Sequence, residues 1–298
     1  MRAPLAVARG CGLESGTFAI IGGLAAAAFW TVTTLCSSRS SRLIGAVSVL
    51  AWVMIVGLVV TAPVAAIEGL PANLDRTIVA WLVLSGVCNV GGLLFAYEAL
   101  RIGKIGLASP VISTEGAIAA VIAIIAGEAL GLPRGVALAV IAIGIIAVAA
   151  GSAGEEAPGH HDVRSALFAG AAALSFGLGL YSTGRVSSDV PLVWAVLPPR
   201  IIGVVAVAIP LALSGRLRLT RRAATLVTVS GLCEVGGYFA FAFGARHGIA
   251  VTAVLGSQFA VLAAIVAYFL FGEKLGRLRI AGVVVTAVGV ALLSALQA

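Results

Sequence analysis

Apolar residues run through this chain in ten long blocks, each closed by a short polar break. The blocks lie near 17–36, 43–67, 77–100, 105–126, 135–152, 165–182, 191–213, 223–245, 249–271 and 280–296. A helix rises 1.5 Å per residue, so about 20 apolar residues carry it across a hydrocarbon core about 30 Å thick. No block alternates at period two, as the strands of a membrane barrel do, and the pattern predicts helices. Most breaks combine a charge with a helix breaker, as in Glu68-Gly69-Leu70-Pro71 and in Gly127-Glu128 followed by Gly131-Leu132-Pro133. The longest polar stretch holds Glu155, Glu156, Pro158, His160, His161 and Asp162 and divides the blocks five and five. A solvated linker explains it; metal binding by His160-His161 is the other reading.

Composition turns this pattern into a statement about solvent. Hydrophobic residues make up 61% of the chain, charged residues 10%, and mean hydropathy is +1.14. A soluble domain has about 45–50% apolar and about 25% charged residues, so most of this surface must face lipid. An integral protein of a bacterial inner membrane is expected. The net charge of +7 comes from Lys and Arg scattered between the apolar blocks. They read as orienting charges in loops, not as a basic stripe with interleaved aromatics, so no nucleic-acid partner is expected. Most fall in loops after odd-numbered blocks, Arg216, Arg218, Arg221 and Arg222 above all, which places those loops inside and both termini outside. Cys11, Cys36, Cys88 and Cys233 form no CxxC pair or zinc-spaced cluster and read as small packing residues. Residues 1–16 lack the apolar centre of a signal peptide, and the first span is expected to do its own targeting.

The two halves resemble each other. Ser85, Gly86, Cys88, Gly91 and Gly92 recur as Ser230, Gly231, Cys233, Gly236 and Gly237, at an offset of 145. The same offset pairs Arg101 and Gly103 with Arg246 and Gly248, Gly127-Glu128 with Gly272-Glu273, Leu130-Gly131 with Leu275-Gly276, Arg134 with Arg279 and Gly144 with Gly289. Matches at Cys, Arg and Glu are hard to obtain from composition alone, and they indicate a duplicated unit. Five helices are an odd number, so a second copy enters the membrane facing the other way. The expected fold class is therefore an all-α polytopic membrane protein with ten transmembrane helices in two inverted five-helix repeats. Residues 1–153 form the first repeat, 154–163 a polar linker and 164–298 the second. Inverted repeats are the architecture of alternating-access carriers, with a site near the midplane.

Ten helices in two repeats, with Gly127-Glu128 and Gly272-Glu273-Lys274-Leu275 closing the fourth helix of each, resemble the EamA family of the drug/metabolite transporter superfamily. The resemblance covers nearly the whole chain. It implies a carrier, often an exporter of amino acids and other small metabolites. Family members often carry a Pro about twelve residues before the Gly of Gly-Glu; Glu115 and Ala260 stand there in this chain.

Four ionisable groups fall inside predicted spans, where each costs about 2.5–3.5 kcal/mol to insert and marks a functional-site hypothesis. Glu234 lies near mid-bilayer and its repeat partner is Asn89. Helical spacing gives Ser85, Asn89 and Gly92 one polar face, and Ser230, Glu234 and Tyr238 another; both are expected to line a cavity. A carboxylate at that depth needs a proton, a cationic partner or water. It is read either as a binding or proton-coupling group, with Glu234→Gln more damaging than Asn89→Ala, or as a purely structural interhelical contact. Glu115, in the patch Ser113-Thr114-Glu115-Gly116, and Gln258, in the matching patch Ser257-Gln258, are candidates for substrate coordination or for helix–helix bonding. Arg200 follows Pro198-Pro199 and either satisfies carbonyls freed by the prolines or holds a substrate carboxylate. Glu98 is placed in an interfacial ion pair with Arg101 or Lys104. Glu128 and Glu273 read as caps or partners of Arg134, Lys274 or Arg277. Trp30, Tyr97, Tyr181, Trp194 and Tyr238 serve as cavity walls or as headgroup anchors.

The chain carries no HExxH, GxSxG, Walker A or dinucleotide fingerprint. No cofactor, no metal and no enzymatic activity are expected, and transport must run by exchange or by coupling to an ion, a proton being the candidate. The expected partners are a small-molecule substrate and the bilayer. Export of hydrophobic cationic drugs or lipid-linked compounds is the alternative, and a membrane-embedded lipid enzyme the alternative of another class.

Overall fold

The computed structural model describes residues 5–103, 105–129, 131–152, 160–259, 261–263, 265–266 and 277–296. Among these residues there is no strand. The helices are α1 (Leu5–Ile44), α2 (Ala46–Glu68), α3 (Arg76–Ile102), α4 (Ile105–Ile112), α5 (Glu115–Ile125) and α6 (Leu132–Ser152). They are followed by α7 (His160–Val186), α8 (Leu192–Gly203), α9 (Ile209–Leu213), α10 (Arg221–Ala245), α11 (Ile249–Gly256) and α12 (Arg277–Ala295). Seven described segments are long and apolar enough to cross a bilayer: Gly16–Ile44, Ala46–Glu68, Arg76–Ile102, Ala108–Ile125, Val163–Val186, Leu192–Leu213 and Arg221–Ala245. Leu132–Gly144 and Ile249–Ala263 are shorter apolar helices.

Exposure is reversed relative to a protein in water. Val59, Leu167 and Leu174 are exposed, whereas Arg200, Asn89 and Glu234 are buried. Apolar groups outside and polar groups inside are what lipid as solvent selects, because hydrocarbon offers no hydrogen bonds to a polar side chain.

Several boundaries differ from the sequence reading, each for a local reason. The first helix does not stop at residue 36 but runs through the serines to Ile44. Ser40 Oγ donates to the carbonyls of Cys36 and Ser37, and Ser37 Oγ lies 2.7 Å from Ser230 Oγ. Hydroxyls that bond within and between helices behave as core residues, not as a loop. Gly45, at φ +86°, then turns the chain into α2 in a single residue, a conformation open to Gly at little cost. The predicted linker ends earlier than 163, since α7 already begins at His160.

The fourth predicted span is interrupted at Ser113-Thr114, and the ninth turns at Ser257-Gln258. The seventh widens into a π-helical turn, Val204–Ala208, between α8 and α9. Pro210 lacks an N–H and would clash with the carbonyl four residues earlier, and the wider turn relieves both problems. Gly272-Glu273-Lys274-Leu275, Ala260 and most of the linker lie outside the described residues.

Helix α1 packs on α10 and α3 on α7; α6 packs on α12 and α5 on α11. Small residues allow these approaches. A Cβ on Gly92 would come within 2.6 Å of the Phe176 ring, and one on Gly237 within 2.5 Å of Trp30 Nε1. A Cβ on Gly144 would meet Thr286, and one on Gly289 would meet Ile141. Gly91, by contrast, has nothing within 4 Å of its Cβ position. Gly92→Ala is therefore expected to cost about 1–3 kcal/mol by overpacking. Gly91→Ala should be neutral or stabilise the helix by up to about 1 kcal/mol. Unfolding of the two variants in detergent checks this, and equal effects would contradict the packing described.

Candidate functional site

The polar residues of α3 and α10 meet in the middle of the bundle. Asn89 Nδ2 donates to Tyr238 Oη at 2.8 Å and to Glu234 Oε1 at 3.5 Å, while Asn89 Oδ1 accepts from Arg200 Nη1 at 3.3 Å. An amide is suited to this position because its oxygen faces a cation and its NH₂ faces a carboxylate. Two residues 145 apart in sequence are thus in direct contact. Arg200 is fully buried, with its guanidinium carbon 4.9 Å from the centre of the Tyr238 ring. Its Nε and Nη2 have no hydrogen-bond partner among the described residues. It satisfies Asn89, not the carbonyls freed by Pro198 and Pro199.

Beside this network lies a cavity of about 50 Å³, room for a few water molecules. Glu115 and Glu234 both line it, and each lies within the other's electrostatic reach. Arg200 does not line it; Asn89 and Tyr238 stand between. Trp30, Tyr97, Phe176, Tyr238 and Phe259 form aromatic walls, with Thr33 and Thr34 contributed by α1. Trp30 Nε1 is buried without a hydrogen-bond partner among the described residues, whereas Tyr97 Oη has the Ser37 and Ser230 hydroxyls beside it. Buried polar atoms are nearly always paired, so the indole N–H on the cavity wall is a donor that water in the cavity can satisfy.

Glu115 reaches the cavity because the chain breaks just before it. Ser113 Oγ donates to Pro110 O and Thr114 Oγ1 to Val111 O, both at 2.8 Å, and these bonds close the end of α4. Glu115 then opens α5, where the helix N-terminus favours a carboxylate. Gln258 Nε2 donates to Val254 O at 3.0 Å, while its Oε1 is buried without a partner among the described residues. Ser113 and Gln258 therefore stabilise the two helix breaks and do not line the cavity. The breaks pack together: a Cβ on Gly116 would come within 2.4 Å of Ala253 O.

Other candidates sit elsewhere. Trp194 is remote from the cluster, its Nε1 bonded to Gly69 O at 2.8 Å beyond the end of α2, and Tyr181 stacks edge-on against Trp81. Glu98 pairs with Arg101 near the end of α3, with Nε 2.7 Å from Oε2. The sequence reading missed Thr33, Thr34, Phe176 and Phe259. Nothing but their spacing on α1, α7 and α11's continuation distinguishes them from ordinary apolar-span residues.

Glu128 spans the two halves. Its carboxylate accepts from the Ala250 amide at 3.2 and 3.3 Å, capping α11, and among the described residues it makes no ion pair. Burial pushes its carboxyl above the ordinary range, while the Ala250 and Ile249 amides pull the other way. A carboxyl raised on folding contributes stability in full below its unfolded pKa, and that contribution is lost as pH rises through the folded value. Glu128→Gln is expected to flatten this part of the stability profile. Thermal unfolding at stepped pH checks it, an unchanged slope being the contrary result.

Residues 17–150 match the model of the EamA-like transporter family. No curated protein matches the chain. A solved structure, described only as the crystal structure of a protein, is similar over 93% of this chain and 98% of its own, with a TM-score of 0.73 and 17% identity. That likeness concerns the fold alone. Residues 17–150 thus carry the pattern of the EamA-like transporters, a family within the drug/metabolite transporter superfamily.

Proposed function

We propose that the protein is a secondary carrier, not an enzyme, that exports small organic metabolites such as amino acids. It works by alternating access between two inverted five-helix repeats in a bacterial inner membrane, and it grips the substrate by an ammonium group. Support for the repeats comes from contacts that recur with partners exchanged. Gly92 abuts Phe176 as Gly237 abuts Trp30, and Gly144 abuts Thr286 as Gly289 abuts Ile141. Ser85 bonds Thr183 as Ser230 bonds Ser37. A two-fold relation that swaps α1 with α7, α3 with α10 and α6 with α12 accounts for all three sets.

The observation that carries the substrate class is the charge on the cavity. Two buried carboxylates, Glu115 and Glu234, line it, and one fixed cation, Arg200, sits outside it behind Asn89. When both carboxylates are ionised the group is one positive charge short. A buried unpaired charge is costly, so the missing charge comes from a proton or from the solute. A cationic amine among aromatic faces meets both the charge and the cation–π requirement. Proton and amine then compete for one place, which couples their movements in opposite directions. A cavity of about 50 Å³ must widen to admit a metabolite, and the helix breaks at 113–114 and 257–258 lie against it. Hydrophobic cationic compounds are the second reading, favoured by the five aromatic walls.

Reconstituted in liposomes, the protein should take up a labelled amine or amino acid saturably, show counterflow, and respond to an imposed pH gradient. Flux that rises linearly with concentration and shows no counterflow would contradict a carrier.

A further inference from the structure

A second feature lies on the outer face of the bundle, away from the cavity. Between α2 and α10 runs a groove of about 360 Å³. It is lined by Trp52, Val56 and Val59 from α2 and by Val227, Thr228 and Leu232 from α10. Val59 is 68% exposed and Leu232 48% exposed. Both helices are membrane-spanning by length and composition, so this groove opens to lipid. From Trp52 to Val60 it follows the helix for about 12 Å, close to the depth of one leaflet at about 15 Å.

One end of the groove is strongly basic. Leu219 lines that end, in the α9–α10 connection; Arg216 and Arg218 of that connection and Arg221 and Arg222 of the first turn of α10 stand within seven residues. All four are exposed, and none forms an ion pair among the described residues. No Asp or Glu occurs between Asp189 and Glu234. The loop is fastened to the groove: Trp52 Nε1 donates to Arg218 O at 3.0 Å, and the Arg218 amide donates to Ser48 Oγ at 3.4 Å. Orienting charges need only lie in the loop; these are held at the mouth of an apolar slot.

We infer that the α2–α10 groove is a binding site for an anionic phospholipid, one acyl chain lying along the slot and the headgroup phosphate on the four arginines. Guanidinium groups bond phosphate oxygens in pairs, and an acyl chain replaces solvent-like contacts along the apolar walls. The slot alone does not distinguish lipids, and the arginines alone do not hold a chain. Together they select a charged lipid over a zwitterionic one.

The test uses the full chain purified in a neutral detergent, with phosphatidylglycerol and phosphatidylcholine of identical acyl chains as probes. Native mass spectrometry should show phosphatidylglycerol retained several-fold more than phosphatidylcholine, with thermal stability raised by the former. Substituting all four arginines by Gln should equalise the two lipids, and Thr228→Phe, which fills the slot, should lower retention of both. Soluble glycerol 3-phosphate should not reproduce the stabilisation; if it does, the arginines bind a free anion and the lipid site is rejected. Equal retention of both lipids by the unaltered protein, a comparison that needs no variant to fold, would also overturn it.

Discussion

Glu234→Gln is expected to leave the fold intact and to lower transport of a cationic solute roughly 10- to 100-fold. The substitution keeps the shape of the side chain and an oxygen for Asn89 Nδ2, which lies 3.5 Å from Glu234 Oε1. What it removes is the charge. A hydrogen bond to a charged group is worth about 1.5–3 kcal/mol, and each 1.4 kcal/mol is about tenfold in affinity. The substitution also removes one of the two carboxylates for which proton and amine compete, so the residual flux should lose its response to a pH gradient. Proteoliposome uptake from mildly acidic to mildly basic pH measures both effects. Wild-type flux at every pH would leave Glu234 a structural residue only.

Arg200 carries the larger expected effect on stability. Its side chain is completely buried and supplies the fixed cation behind Asn89. Removing one partner of a buried charge cluster typically costs about 3–5 kcal/mol, because the remaining charges lose compensation. Arg200→Met should therefore unfold far more readily in denaturant than the native chain. Adding Glu234→Gln to it should restore much of the loss, since the excess negative charge is then gone. Arg200→Met alone as stable as the native protein, or no rescue in the double variant, would contradict the electrostatic coupling.

The sequence exposed the parts of this architecture that obey periodicity. Long apolar blocks give the spanning helices, in-span charges single out Glu115, Arg200 and Glu234, and the offset of 145 with helical spacing adds Asn89 and Tyr238. It misread what depends on tertiary partners. The serines after Cys36 look like a break until Ser230 is placed opposite them. Arg200 has a partner that no local pattern reveals, Asn89, on one of its nitrogens. In sequence Asn89 is only the uncharged offset partner of Glu234. In the fold it links Arg200, Glu234 and Tyr238, so Asn89→Ala is expected to be damaging as well. Trp194 and Tyr97 are alike as aromatic residues in a sequence, yet one anchors a loop carbonyl and the other lines the cavity.

Alternating access can be measured without knowing the substrate. Leu93 lines the cavity, and Leu93→Cys in a chain whose four native cysteines are replaced by Ser gives one reporter thiol. A membrane-impermeant maleimide applied to right-side-out and to inside-out vesicles should label it from either face, with an imposed pH gradient shifting the balance between them. Labelling from one face alone, whatever the gradient, would contradict a cavity that opens by turns to the two sides of the membrane.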